Sequence, residues 1–277
     1  MAPKRRTDVL STLLAGFILV SAVSRAQDNG PAASYVPRVG QAGKDVVWVP
    51  TAQTLVEKML DVAHVSANDY VIDLGSGDGR TVIAAAKRGA RALGIEYNPE
   101  MVELSKRYAA QEGVSERAHF VKADIFESDL SAATVITMFL LTEINLKLRP
   151  KILALDPGTR IVSNTFSMGA WVADQIVTAD ENCQDYCVAY FWIVPGQVEG
   201  RWRLADGEIE LKQSFQTITG KLTTAHRTSE LADGQLAGRR ISFRAGDTQY
   251  IGHISGDRMD GIFSSPRGKG EWTAARN

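Results

Sequence analysis

Asp73-Leu74-Gly75-Ser76-Gly77-Asp78-Gly79-Arg80 is the stretch on which the reading of this chain turns. It follows Tyr70-Val71-Ile72, whose short apolar and β-branched character suits a buried strand, and it runs into Thr81-Val82-Ile83-Ala84-Ala85-Ala86-Lys87, a helix former. Glycines at 75, 77 and 79 fit a tight strand-to-helix turn. There a ligand can come against bare backbone, and the first N–H groups of the helix favour its negative end. A dinucleotide fingerprint would want its third glycine three positions after the second, and that position is Arg80.

Working outward, the pattern alternates. Before the turn, Thr51 follows Pro50 as a candidate helix cap, and Leu55, Val56, Met59, Leu60 and Ala63 recur on one helical face. After it come a helix over 80 to 88, a strand over 92 to 96, a helix over 99 to 111, and strands over 119 to 122, 134 to 140 and 160 to 164. Such alternation predicts an α/β, Rossmann-like parallel sheet covered on both faces. Residues 188 to 194 form one more apolar strand. Beyond Gly200 helical periodicity stops, and short alternating runs are broken by turn pairs at Asp206-Gly207, Asp233-Gly234, Gly246-Asp247 and Gly256-Asp257. The expected organisation is a signal over 1 to 26, a linker over 27 to 45, the α/β domain over 46 to 197, and a small antiparallel sheet or barrel over 198 to 277.

Three acids fall at successive strand ends, on the carboxyl edge where open sheets bind ligands. Asp73 opens the glycine turn, Glu96 ends the second strand, and Asp124 ends the third. This set fits S-adenosylmethionine (SAM). Asp73, Gly75, Ser76, Gly77 and Gly79 would surround its amino-acid end, with Thr51 at the lead-in. Glu96, followed by Tyr97, would accept from the ribose hydroxyls. Asp124 would accept from the adenine amino group, while the Ile125 backbone faces the ring.

The stretches Val49-Pro50-Thr51, Asp73 through Lys87, and Gly94-Ile95-Glu96-Tyr97-Asn98-Pro99 carry a resemblance. Through them residues 46 to 195 resemble the protein-lysine methyltransferase family that includes the ATP synthase c-subunit and adenine nucleotide translocase methyltransferases and bacterial relatives. The resemblance implies a seven-stranded class I methyltransferase fold, SAM as cofactor and a protein lysine as acceptor. The segment after Gly200 lies outside it. Met138-Phe139-Leu140-Leu141 stands where many adenine and glutamine methyltransferases carry Asn/Asp-Pro-Pro-Tyr/Phe, which argues against those acceptors. Glu143, Asn145 and Asn164 follow the fourth and fifth strands and are the candidate catalytic residues. Trp48 and Trp171 are either pocket walls or core. Two other readings stay open: a small-molecule methyltransferase, and an exported SAM-binding module without turnover.

Composition sets outer bounds. In 277 residues, 31 lysines and arginines nearly balance 32 aspartates and glutamates, which leaves no nucleic-acid footprint. Lys4-Arg5-Arg6, an apolar run over 9 to 23 and Ser24-Arg25-Ala26 read as a secretory signal, with Arg5-Arg6 suiting a twin-arginine route. The alternative is an anchor placing the protein at a membrane, although a span wants about 20 apolar residues. Cys183 and Cys187 exclude a four-cysteine zinc site and no histidine lies at ligand spacing to another, so no metal is implied. In an oxidising compartment the two cysteines form a small disulfide loop.

Overall fold

The structure, a computed structural model, describes residues 1–3 and 35–277. Arg5-Arg6 and the apolar run 9 to 23, on which the signal and anchor readings rest, lie outside the described residues. No helix among the described residues is long and apolar enough to cross a membrane.

The compact unit over 35–277 begins with α1 (Gln53–Val62), then β1 (Tyr70–Leu74), α2 (Arg80–Lys87), β2 (Arg91–Glu96), α3 (Pro99–Gln111), β3 (Ala118–Lys122), β4 (Val135–Met138), α4 (Thr142–Leu153), β5 (Arg160–Asn164), β6 (Gln175–Thr178) and β7 (Val188–Ile193). The seven strands form one sheet in the order β3-β2-β1-β4-β5-β7-β6. The first five are parallel, while β7 runs antiparallel to both β5 and β6. This is the class I methyltransferase sheet that the sequence predicted. Because side chains alternate along a strand, Val71, Val135 and Val162 enter one core with Leu55, Leu60 and Val82. Their neighbours Ile72, Ile136 and Ile161 enter a second core with Ile144, Leu148 and Ile152 of α4. Strand order reverses between β1 and β4, so the carboxyl ends of those strands flank a crevice.

Two expectations need correction, and one strand was not expected. Thr51 does not cap α1, whose N-cap is Ala52 without a side-chain bond, because the Thr51 hydroxyl accepts from Asn164 Nδ2 at 3.1 Å instead. Of the linker expected over 27 to 45, residues 27 to 34 lie outside the described residues, and residues 38 to 45 belong to a folded segment. Gly40 N–H donates to Trp48 O, Trp48 N–H to Gln41 O and Gly43 N–H to Val46 O, so the segment is a tight hairpin. Strand β6 carries no sequence signal, being four residues long, mostly exposed and paired with β7 alone.

The tail is an antiparallel barrel of eight strands running from Gly200–Leu204 to Gly268–Arg276. Each strand pairs with the next, and the last closes on the first through Ala274↔Leu204, Ala275↔Arg203 and Arg276↔Trp202. Alternation sends Trp202, Ile209, Leu211, Ile218, Ile241, Phe243 and Trp272 inward, and an eight-stranded barrel is narrow enough for such side chains to fill. Trp171 is core rather than pocket wall. It packs on Trp192 and stacks on Phe215 of the barrel at 6.0 Å, while Gln216 Nε2 donates to Val172 O at 2.7 Å. Since the barrel closes its own ladder around its own core, residues 198 to 277 expressed alone are expected to show a strand-type circular dichroism spectrum and a cooperative melt. A random-coil spectrum would show that the barrel depends on the sheet.

Candidate functional site

The turn after β1 is built by its glycines. Gly75, Gly77 and Gly79 all have positive φ, at 74°, 54° and 83°. Two of them are also pressed from outside. A Cβ on Gly77 would lie 2.5 Å from Trp48 Nε1, and one on Gly79 would lie 2.7 Å from the Phe120 ring. Trp48, at the base of the hairpin, thus lies directly on the glycine turn. Asp78 and Arg80 fix its far side: Arg80 Nε and Nη2 donate to Asp78 Oδ1 and Oδ2 at 3.0 and 2.6 Å, and Arg80 Nη1 donates to Thr51 O at 2.6 Å. One guanidinium therefore joins the Val49-Pro50-Thr51 lead-in to the start of α2, a physical reason for those two sequence features to occur together.

Glu96 closes the turn on the β2 side. Its Oε2 accepts from Gly77 N–H and its Oε1 from Asn98 N–H, both at 2.9 Å. Asp73 is buried and accepts from Thr137 Oγ1 at 2.6 Å. Burial pushes its carboxyl up from 3.8 to about 7 against that hydrogen bond, and the charges of Glu96 and Asp78 push the same way. Asp124 accepts from Phe126 N–H at 2.9 Å through Oδ1, while its Oδ2 is held by Lys44 at the hairpin tip. The Lys44 hydrogen bond, then that of Phe126, holds the Asp124 carboxyl below its ordinary value. Lys44 Nζ also sits 5.0 Å from the centre of the half-exposed Tyr97 ring.

These groups line one open cleft. Thr51, Asp73, Gly75, Ser76, Gly77, Glu96, Tyr97, Asp124 and Ile125 all face it, with Met101, Met138, Phe139, Leu140 and Ile144 supplying apolar wall. Gly79 is set back as the cap of α2. The residues fit SAM: two carboxylates stand at strand ends, an apolar slot lies beside them, and the positive-φ glycines leave bare backbone at the turn. The hairpin residues 41 to 48 also line the cleft. Trp48 is thus a pocket wall, one of its two expected places, but sequence reading missed residues 41 to 47, because a Gly- and Ala-rich segment without period gives no sign that Lys44 reaches a carboxylate 80 residues on.

The candidate catalytic residues are placed otherwise. Asn164 is fully buried, donating to Thr51 Oγ1 and accepting from Thr165 Oγ1. Asn145 is also fully buried, and its Nδ2 donates to Ser163 Oγ and Phe166 O, both at 3.1 Å, and to Ser167 O at 3.3 Å. Both amides hold loops in position rather than facing the cleft. Glu143 is exposed on the first turn of α4, outside the cleft lining.

Comparison with known proteins fits this geometry. The family model described as "ANTKMT methyltransferase domain" matches residues 73–175. A "Protein-lysine N-methyltransferase" of Saccharolobus islandicus is 40% identical over 164 residues, spanning 58% of this chain and 97% of that protein. The lysine N-methyltransferase of the ATP synthase c-subunit from Xenopus laevis is 35% identical over 130 residues, which cover 47% of this chain and 57% of the relative. Among solved structures, an RNA methyltransferase from Salinibacter ruber in complex with S-adenosyl-L-homocysteine aligns with a TM-score of 0.51 and 41% identity, over 54% of this chain and 96% of that one. The chain belongs to the SAM-dependent methyltransferase family that includes the protein-lysine N-methyltransferases acting on the ATP synthase c-subunit and on adenine nucleotide translocase.

Proposed function

We propose that this enzyme methylates lysine side chains of a protein. The observation that carries the reading is the match to a relative named for that activity, across nearly the whole length of that relative. The cleft supports it. SAM, when bound, supplies an electrophilic methyl group on a sulfonium. Glu96 and Asp124 would hold its nucleoside end through the hydroxyls and the amino group, and the glycine turn would hold its amino-acid end. On the acceptor side the wall is Met138, Phe139, Leu140 and Ile144, without a carboxamide motif to bind a planar amide or base. Methyl transfer to an amine is an in-line displacement that asks chiefly for alignment, once the acceptor nitrogen has lost its proton.

Incubating the purified protein with methyl-labelled SAM and a cell-envelope extract, then mapping label by mass spectrometry, is expected to place methyl groups on lysine. Label confined to RNA, to another residue type or to small molecules would overturn the lysine reading while leaving the methyltransferase intact.

A further inference from the structure

Three aromatic rings meet beside the cleft. Phe139 follows β4 and lines the cofactor cleft, Phe166 follows β5, and Tyr186 lies in the connection between β6 and β7. Phe139 and Phe166 stack with centroids 6.0 Å apart, and Tyr186 meets Phe139 edge-on at 5.2 Å and Phe166 at 6.4 Å. None of the three belongs to the two buried cores of the sheet, and Tyr186 is 45% exposed.

Backbone conformation shows that this cluster is imposed. Thr165 and Tyr186 have φ of 59° and 58°, a region that β-branched and bulky residues enter only at an energetic cost and only where surrounding bonds enforce it. The enforcing bonds are present. Thr165 N–H donates to Val188 O at 2.7 Å, Asn145 holds the Phe166 carbonyl, and Ala179 N–H donates to Cys187 O at 2.9 Å. The Cys183–Cys187 disulfide closes the loop immediately around Tyr186. An exposed ring held in a strained conformation contributes little to packing, and strain of this kind gathers at binding sites.

We propose that the disulfide-closed loop is part of the acceptor site, and that Tyr186 completes with Phe139 and Phe166 an aromatic wall receiving the alkylammonium end of the acceptor; this rests on the lysine reading above. Continuity fixes the occupant, because Phe139 borders both the cofactor cleft and the aromatic cluster. Ring faces attract a methylated ammonium, while their apolar surface accommodates the lysine stem. Charge agrees: the loop from 179 to 187 carries exposed Asp180, Glu181 and Asp185 and no basic residue. The disulfide closes a five-residue ring from Cys183 to Cys187 and so keeps Tyr186 in place without a helix or strand to carry it.

The test uses the full chain loaded with S-adenosylhomocysteine and titrated, by NMR, with Nα-acetyl-lysine methylamide, its Nε-trimethyl form and the neutral norleucine analogue. Wild type is expected to bind the trimethyl form more tightly than the norleucine analogue. Tyr186→Ala should weaken that binding about five-fold, Tyr186→Phe should stay within about two-fold, and the double variant Cys183→Ser/Cys187→Ser should weaken it about three-fold. SAM affinity should be unchanged in all three. Equal binding of the cation and the norleucine analogue, or a Tyr186→Ala variant that binds like wild type, overturns the proposal. If the extract experiment maps methyl groups to lysine while these titrations fail, this inference alone falls. If methyl groups map elsewhere, the lysine reading falls and takes this inference with it.

Discussion

Replacing Glu96 with alanine is expected to weaken SAM binding by about 2 to 4 kcal/mol, or roughly 30- to 1000-fold, because hydrogen bonds to a charged acceptor are among the stronger ones. The structure adds a second reason for a large effect. The carboxylate that would accept from the ribose hydroxyls also accepts from Gly77 and Asn98 N–H groups, so its removal frees the glycine turn as well as the sugar. Glu96→Gln separates the two contributions in part, since its carbonyl can accept from one of those N–H groups while its amide nitrogen opposes the other. Calorimetric titration of both variants, with a melt to confirm folding, checks the expectation. Unchanged affinity in a folded Glu96→Ala protein would remove Glu96 from the site.

Much of the sheet was legible in the sequence because its signals are local. Each parallel strand is a short apolar run, and each of the helices α2 and α3 follows a turn with its own residue code: glycines before Arg80, and Asn98-Pro99 at the cap of α3, where Asn98 Oδ1 accepts from Glu100 N–H. The acids at the strand ends were legible for the same reason. What was not legible depends on partners distant in sequence. Asn164 ends a strand at the expected acceptor edge, yet its amide is turned to Thr51, 113 residues away. Lys44 sits in a segment without period and matters through Asp124. Tyr186 has only its flanking cysteines as a mark, and the ring contacts that give it a role come from the ends of two other strands.

The pH behaviour of Asp73 gives the other large expected effect. Its carboxyl is buried at the centre of the sheet edge, with Glu96 of β2 and Asp78 of the glycine turn as charged neighbours and Thr137 of β4 as its only donor among the described residues. Between the ordinary 3.8 and about 7 the folded protein therefore holds a proton that the unfolded chain has released. Stability must fall as pH rises through that window, by on the order of 4 kcal/mol in total, with the full penalty present above about 7. Asp174 is also raised, by burial, and acts in the same direction. It lies just before β6, where it accepts from Ile193 and Gln216, and its contribution is common to wild type and any Asp73 variant. The informative quantity is thus a difference: melting temperature between pH 5.5 and 8 should drop distinctly further for wild type than for Asp73→Asn, which cannot ionise. A cationic ligand in the cleft that Asp73 lines favours its charged form, so SAM should raise the wild-type melting temperature more at pH 8 than at pH 5.5, with a smaller difference in Asp73→Asn. Parallel pH profiles for the two proteins, with and without SAM, would show that Asp73 is already ionised in the free enzyme and that the acid opening the glycine turn serves its geometry alone.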